Sequence, residues 1–150
     1  MKTKWISALI LALVTLAFVG CSKDDDSVSN KGVLKVTVTA EGYTGEEGSS
    51  MSATVIGSTA QGPTLWKVNG ASGVSGKSIY ELNREYFAGG KTGVFESESS
   101  YLAATVQIGA AAYSVPFKLV YKIEQGGKVI VEQSADIVPN ATPTVLSFQY

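Results

Sequence analysis

From Gly32 onward, apolar side chains recur at every second position, the period of a strand with one buried face. Leu34, Val36, Val38 and Ala40 alternate with Lys35, Thr37 and Thr39. Leu102, Ala104, Val106 and Ile108 alternate with Ala103, Thr105 and Gln107. The longest alternation sets Tyr113, Val115, Phe117, Leu119, Tyr121 and Ile123 against Ser114, Pro116, Lys118, Val120 and Lys122. It predicts one long strand, at an edge or bulged, because Pro116 has no amide to donate to a ladder. Gln125-Gly126-Gly127-Lys128 breaks the run before Val129-Ile130-Val131 resumes it. Two glycines supply the positive φ angles of a tight hairpin turn. A last strand, Thr144 to Tyr150, follows Pro139 and Pro143.

The first half is less regular. Met51 to Ile56, Thr64 to Val68 and Gly93 to Glu98 read as strands, and Asn69 to Lys77 is a Gly- and Ser-rich connection. Ser78-Ile79-Tyr80-Glu81 has the form of a capping box, with Leu82 and Tyr86 on the Ile79 side of a short helix. The same residues also alternate as a strand, Tyr80, Leu82 and Tyr86 against Glu81 and Glu85. The helical turn is the preferred expectation. Seven to eight strands with one short helix predict an all-β, two-sheet β-sandwich, immunoglobulin-like or fibronectin-III-like, over residues 32–150. There is no long internal repeat and no heptad pattern.

Composition narrows the chemistry. The 150 residues carry 12 basic and 13 acidic side chains, no histidine and one cysteine. Without histidine, neither a Ser–His–Asp or Cys–His apparatus nor an imidazole zinc site can be assembled. One cysteine forms no internal disulfide and no thiolate cluster. A net charge of −1 offers no basic surface for nucleic acid. No cofactor and no metal site is expected.

Residues 1–20 read as an export signal: Lys2 and Lys4, then an apolar run from Trp5 to Val19. That run is shorter than the ~20 residues of a comfortable membrane span. Phe18-Val19-Gly20-Cys21 resembles the bacterial lipobox, with Phe18 in place of the usual leucine. The resemblance implies that a signal peptidase recognises Phe18, Val19 and Gly20, and that Cys21 receives the lipid. Ser22-Lys23-Asp24-Asp25-Asp26 resembles the acidic tract behind the lipidated cysteine of Bacteroidota surface lipoproteins. There it directs export to the outer leaflet; a periplasm-facing anchor is the alternative location. Asp26-Ser27-Val28 resembles the O-glycosylation site of that group, at Ser27. Asn140-Ala141-Thr142 has the N-glycosylation pattern, which a bacterial lipoprotein gives little reason to use. Residues 21–31 then form a lipidated acidic tether. Loss of Lys2 and Lys4 on processing leaves 10 of the 12 basic side chains against 13 acidic ones.

Candidate chemistry in residues 32–150 is sparse. Glu96 and Glu98 share a strand face at ~7 Å, a spacing compatible with an inverting glycoside hydrolase. Glu81 and Glu85 are neighbours if their segment is helical. Glu41, Glu46 and Glu47 lie in a Gly-rich loop with oxygen ligands for calcium but lack the ladder of a dedicated calcium loop. Trp66, Tyr80, Tyr86, Phe87 and Tyr101 are candidates for a sugar-stacking platform, Trp66 foremost because it flanks a long loop. The sequence therefore points to a non-enzymatic outer-membrane lipoprotein that serves as a binding module for a glycan or protein, or as a structural or accessory module. Its expected partners are the membrane lipid at Cys21 and the lipoprotein processing and export machinery. The alternatives are a fimbrillin-like pilus or adhesion component and a small hydrolase using a glutamate pair.

Overall fold

The computed structural model describes residues 31–150. The signal segment, Cys21 and its flanking lipobox, the acidic tract and Ser27 lie outside these residues. The alternation resolves into strands β1 (Leu34–Glu41), β2 (Ser50–Thr59), β3 (Gly62–Pro63), β4 (Trp66–Val68) and β5 (Ile79–Leu82). A single helical turn α1 (Arg84–Phe87) follows, then β6 (Thr92–Ser97), β7 (Ala103–Ala111), β8 (Phe117–Gln125), β9 (Lys128–Ile137) and β10 (Thr144–Gln149). They form two five-stranded antiparallel sheets, a β-sandwich. The first runs β4-β6-β1-β8-β9; the second runs β10-β7-β2-β3, with β5 also paired to β2. The strand count exceeds eight because of the two-residue β3 and because β5 replaces part of the expected helix.

The core is the set of alternating positions from both sheets. Leu34, Val36, Val38, Phe95, Leu119 and Ile123 from the first sheet face Met51, Val55, Val106 and Ile108 from the second, all essentially solvent-free. Each such side chain contributes roughly 1.5–3 kcal/mol on burial. The β8–β9 hairpin is as expected, with Gly126 and Gly127 at φ 54 and 79, the pair of left-handed residues that a two-residue turn needs.

Two segments depart from expectation. Residues 79–82 are a strand paired with β2, Val55 opposite Tyr80 and Ala53 opposite Leu82. The helix begins only after Asn83, whose Oδ1 accepts from the Tyr86 amide at 3.3 Å; Ser78 is not the cap. Pairing with β2 buries Tyr80 and Leu82 together, which one helical face of this short segment does not achieve. The second departure is at Tyr113–Pro116, expected as the start of β8. The strand begins at Phe117, and Tyr113 and Val115 are 66% and 41% exposed. Pro116 stands just outside β8, and β8 is a central strand between β1 and β9, not an edge. The amides of Ser114 and Val115 are bonded to a side chain instead of a ladder, as described next.

Candidate functional site

Glu46, in the β1–β2 loop, accepts hydrogen bonds from the backbone amides of Ser114 and Val115 at 2.7 and 2.9 Å and from the Ser114 hydroxyl. The Ser114 hydroxyl, followed by the two amides, holds the Glu46 carboxyl below its ordinary range. Nearby, Ser49 Oγ donates to the Glu46 carbonyl at 2.6 Å and accepts from the Tyr43 hydroxyl at 3.2 Å. The Tyr43 ring meets Phe117 edge-on at 4.8 Å. The amides of Gly89 and Gly90 both donate to the Tyr43 carbonyl. Three loops are thus fastened together at one end of the sandwich. Glu46 is a clasp and is engaged. Among the described residues, no three acidic, cysteine or histidine side chains gather as a metal-binding set.

The expected aromatic platform is not a surface. Trp66 and Phe87 are fully buried, and Tyr80 and Tyr101 are 3% exposed. Trp66 lies inside the core, its ring against Gly57, and presents no face for a sugar to stack on. Its Nε1 and the neighbouring Thr64 Oγ1 are buried with no hydrogen-bond partner among the described residues. Tyr86 is half-buried, its hydroxyl donating to the Thr92 carbonyl at 2.6 Å. A long loop beside Trp66 suggested exposure; the inward register of β4 decided otherwise.

The expected glutamate pairs are split between elements, and it is Glu124, not Glu98, that shares a groove with Glu96. Glu98 lies just past β6, where its Oε1 accepts from the Gly73 amide at 3.1 Å. Glu96 lies between Lys67 of β4 and Lys35 of β1. Glu81 is on β5 and Glu85 on α1, so the expected helical neighbours are separated by the strand-to-helix change.

The outward faces of the two sheets differ in kind. On the first sheet, Lys35, Lys67, Lys118 and Lys122 share the face with Glu41, Glu96, Glu124, Glu132 and Asp136. Their register alternates sign across the sheet. Lys67, Glu96, Lys35 and Glu124 form one row, and Lys122 faces Glu132 while Lys118 faces both Glu41 and Asp136. Opposite charges directly across a strand pair attract, so this face is matched within itself. A groove of about 300 Å³ over Val33, Lys35, Glu96, Glu124 and Gly127 belongs to it.

The second sheet's outward face has rows Val145–Gly109–Ser52, Ser147–Gln107–Thr54–Glu81 and Gln149–Thr105–Ile56–Ile79, with Val145, Ile79 and Ile56 exposed. Glu81 is the one ionisable side chain in them. Ile56, Ser58, Ala103 and Thr105 line a shallow depression of about 150 Å³ there. This face was missed at the sequence level, although its signal is legible: Ser50–Thr59, Ala103–Ala111 and Thr144–Gln149 contain no charged residue.

The described residues form a β-sandwich of two antiparallel sheets. Comparison with known proteins bears on the fold alone. No protein-family model and no curated protein matches the chain. Among solved structures it resembles a protein from Parabacteroides distasonis determined by NMR in its calcium-bound form. The two share 17% identity over 85% of this chain and 98% of that one, with a TM-score of 0.61. It also resembles a domain of unknown function, DUF4425, from Bacteroides vulgatus, at 9% identity over 81% and 94% of the two chains and a TM-score of 0.58. A protein of the same domain family from Bacteroides ovatus aligns at 12% identity over 80% and 94%, with a TM-score of 0.56. These genera are in the bacterial group whose lipoproteins the N-terminal segment resembles.

Proposed function

We propose that this chain is a lipid-anchored lipoprotein of the outer membrane, held by acylated Cys21, displayed on the cell surface, and that its sandwich is a non-enzymatic binding module. The observation that carries the reading is where the carboxylates are spent. Glu46 fastens Ser114 and Val115, Glu98 holds Gly73, and Glu96 is bracketed by lysines. What the described residues offer to the outside is chiefly two broad sheet faces, a geometry suited to contact. Two or three acyl chains at ~0.8 kcal/mol per buried methylene make attachment at Cys21 stable.

One observation favours a second reading, the fimbrillin type. β10 is an edge strand paired only with β7, and a terminal edge strand is the element that strand exchange uses. Deleting Thr144–Tyr150 should then abolish detergent-resistant ladders. A hydrolase using Glu96 and Glu98 would lose a measurable activity on Glu96→Gln or Glu98→Gln without unfolding.

The anchoring half of the proposal is tested by fractionation. Wild-type chain should partition with the outer membrane and be shaved from intact cells by protease, whereas Cys21→Ser should be released as soluble protein. Equal membrane retention of Cys21→Ser sinks it. The binding half is tested by probing immobilised glycans and envelope proteins with the purified chain; silence on both sinks that part.

A further inference from the structure

The two outward faces are not equivalent as binding surfaces, and their chemistry selects a ligand. Covering the first sheet's face would desolvate nine charged groups whose partners lie within the same face. Such burial is costly even for paired ions. The second sheet's face carries no such cost away from Glu81 at its margin. Its central residues Gln107, Thr105, Thr54 and Ser147 are amides and hydroxyls, each able both to donate and to accept. Sugar hydroxyls have the same dual character and no charge.

Size argues against the obvious competitor, a second copy of this chain. Four strands spaced ~4.8 Å apart, with β2 and β7 paired over nine residues at ~3.4 Å each, give a face of roughly 500–600 Å² at most. A stable protein–protein interface needs about 800 Å² from each partner. A short stretch of polymer lying across the strands needs far less. The depression of about 150 Å³ beside Ile56 and Ala103 gives such a chain an apolar foothold next to the polar rows.

We propose that the outward face of the second sheet, centred on Gln107 and Thr105, docks an uncharged, hydroxyl-rich polysaccharide. This deepens the binding-module reading and rests on it. Recognition runs through amide and hydroxyl groups on a flat sheet, since the aromatic residues that usually stack on sugars are in the core.

The test is an amide-shift titration of the full chain by NMR with neutral gluco-, manno- and galacto-oligosaccharides, and with an oligogalacturonate as the anionic control. Expected are saturable shifts confined to β2, β7 and β10 with at least one neutral probe, and none with the anionic one. Gln107→Lys, on an exposed position, should weaken that binding at least tenfold, while Lys122→Gln on the other face leaves it unchanged. Shifts on the first sheet or the loop ends, or binding indifferent to Gln107→Lys, would overturn this assignment yet leave the chain a glycan binder. Retention of an envelope protein but no sugar would also overturn it and leave the binding reading intact. A dimer in sedimentation that Gln107→Lys dissolves would show the face to be a self-interface. No shift with any neutral probe ends the proposal.

Discussion

Glu46 shows how one side chain replaces a stretch of sheet. The amides of Ser114 and Val115 have no strand partner, and its carboxylate supplies the acceptors. Because the folded form holds this carboxyl below its ordinary value of 4.5, its contribution is complete above that pH and is lost as pH falls through the lowered value. Glu46→Gln should therefore lower the thermal midpoint at pH 7, and the gap from wild type should narrow as pH falls below 4.5 and through the lowered value. A gap that persists unchanged in acid would show that the charge is not what matters. Thr64 makes the opposite case. Its hydroxyl is buried without a partner among the described residues, and leaving such a group unsatisfied costs about 1–3 kcal/mol. Thr64→Val keeps the shape and removes the polar atom, so chemical denaturation should report a gain of about 1 kcal/mol; a loss would mean that the hydroxyl has a partner in solution.

Elements were legible where the signal is local. The Gln125–Lys128 turn needs only two adjacent glycines, and both have positive φ. A β-branched residue resists that region by roughly 1–2 kcal/mol, whereas asparagine tolerates it. Gly127→Val should destabilise by about that much in urea melts and Gly127→Asn by clearly less; equal losses would indicate that the glycine is needed for space. Residues 79–82 were not decidable locally, since their alternation fits both a helix turn and a strand, and β2 chose by offering a ladder. Tyr113–Pro116 misled for a related reason. Alternation continued through it, but the acceptor for its amides is 68 positions away in sequence, and nothing in the segment announces it. Trp66 failed on register: its neighbours said loop, its strand put it inside. The sandwich itself was legible because it depends on many alternating positions at once.

At the scale of the molecule, the two ends of the sandwich respond to opposite extremes of pH. The clasp of Glu46 closes one end. At the other end, where β1 begins and β8 finishes, Tyr101 and Tyr150 lie between the sheets. Gln125 Nε2 donates to the Tyr101 hydroxyl at 2.8 Å, and Lys31 Nζ lies 5.7 Å from its ring. Burial pushes both phenols above their ordinary 10.0, and for Tyr150 the neighbouring Tyr101 adds to it. A raised folded value means that the neutral phenols stabilise fully below pH 10 and that this contribution is lost as pH rises through the folded value. The molecule should hold a broad plateau of stability and shed it in alkali from the tyrosine end first. The check is hydrogen exchange across a pH series with thermal melts alongside. Amides of Leu34, Ala104 and Tyr150 should lose protection before those of Ser114 and Val115 as pH passes 10. Tyr101→Phe removes one titrating group, so its alkaline midpoint should move upward even though the Gln125 bond costs some stability at neutral pH. If that midpoint stays where wild type has it, the tyrosines are bystanders to the alkaline limb.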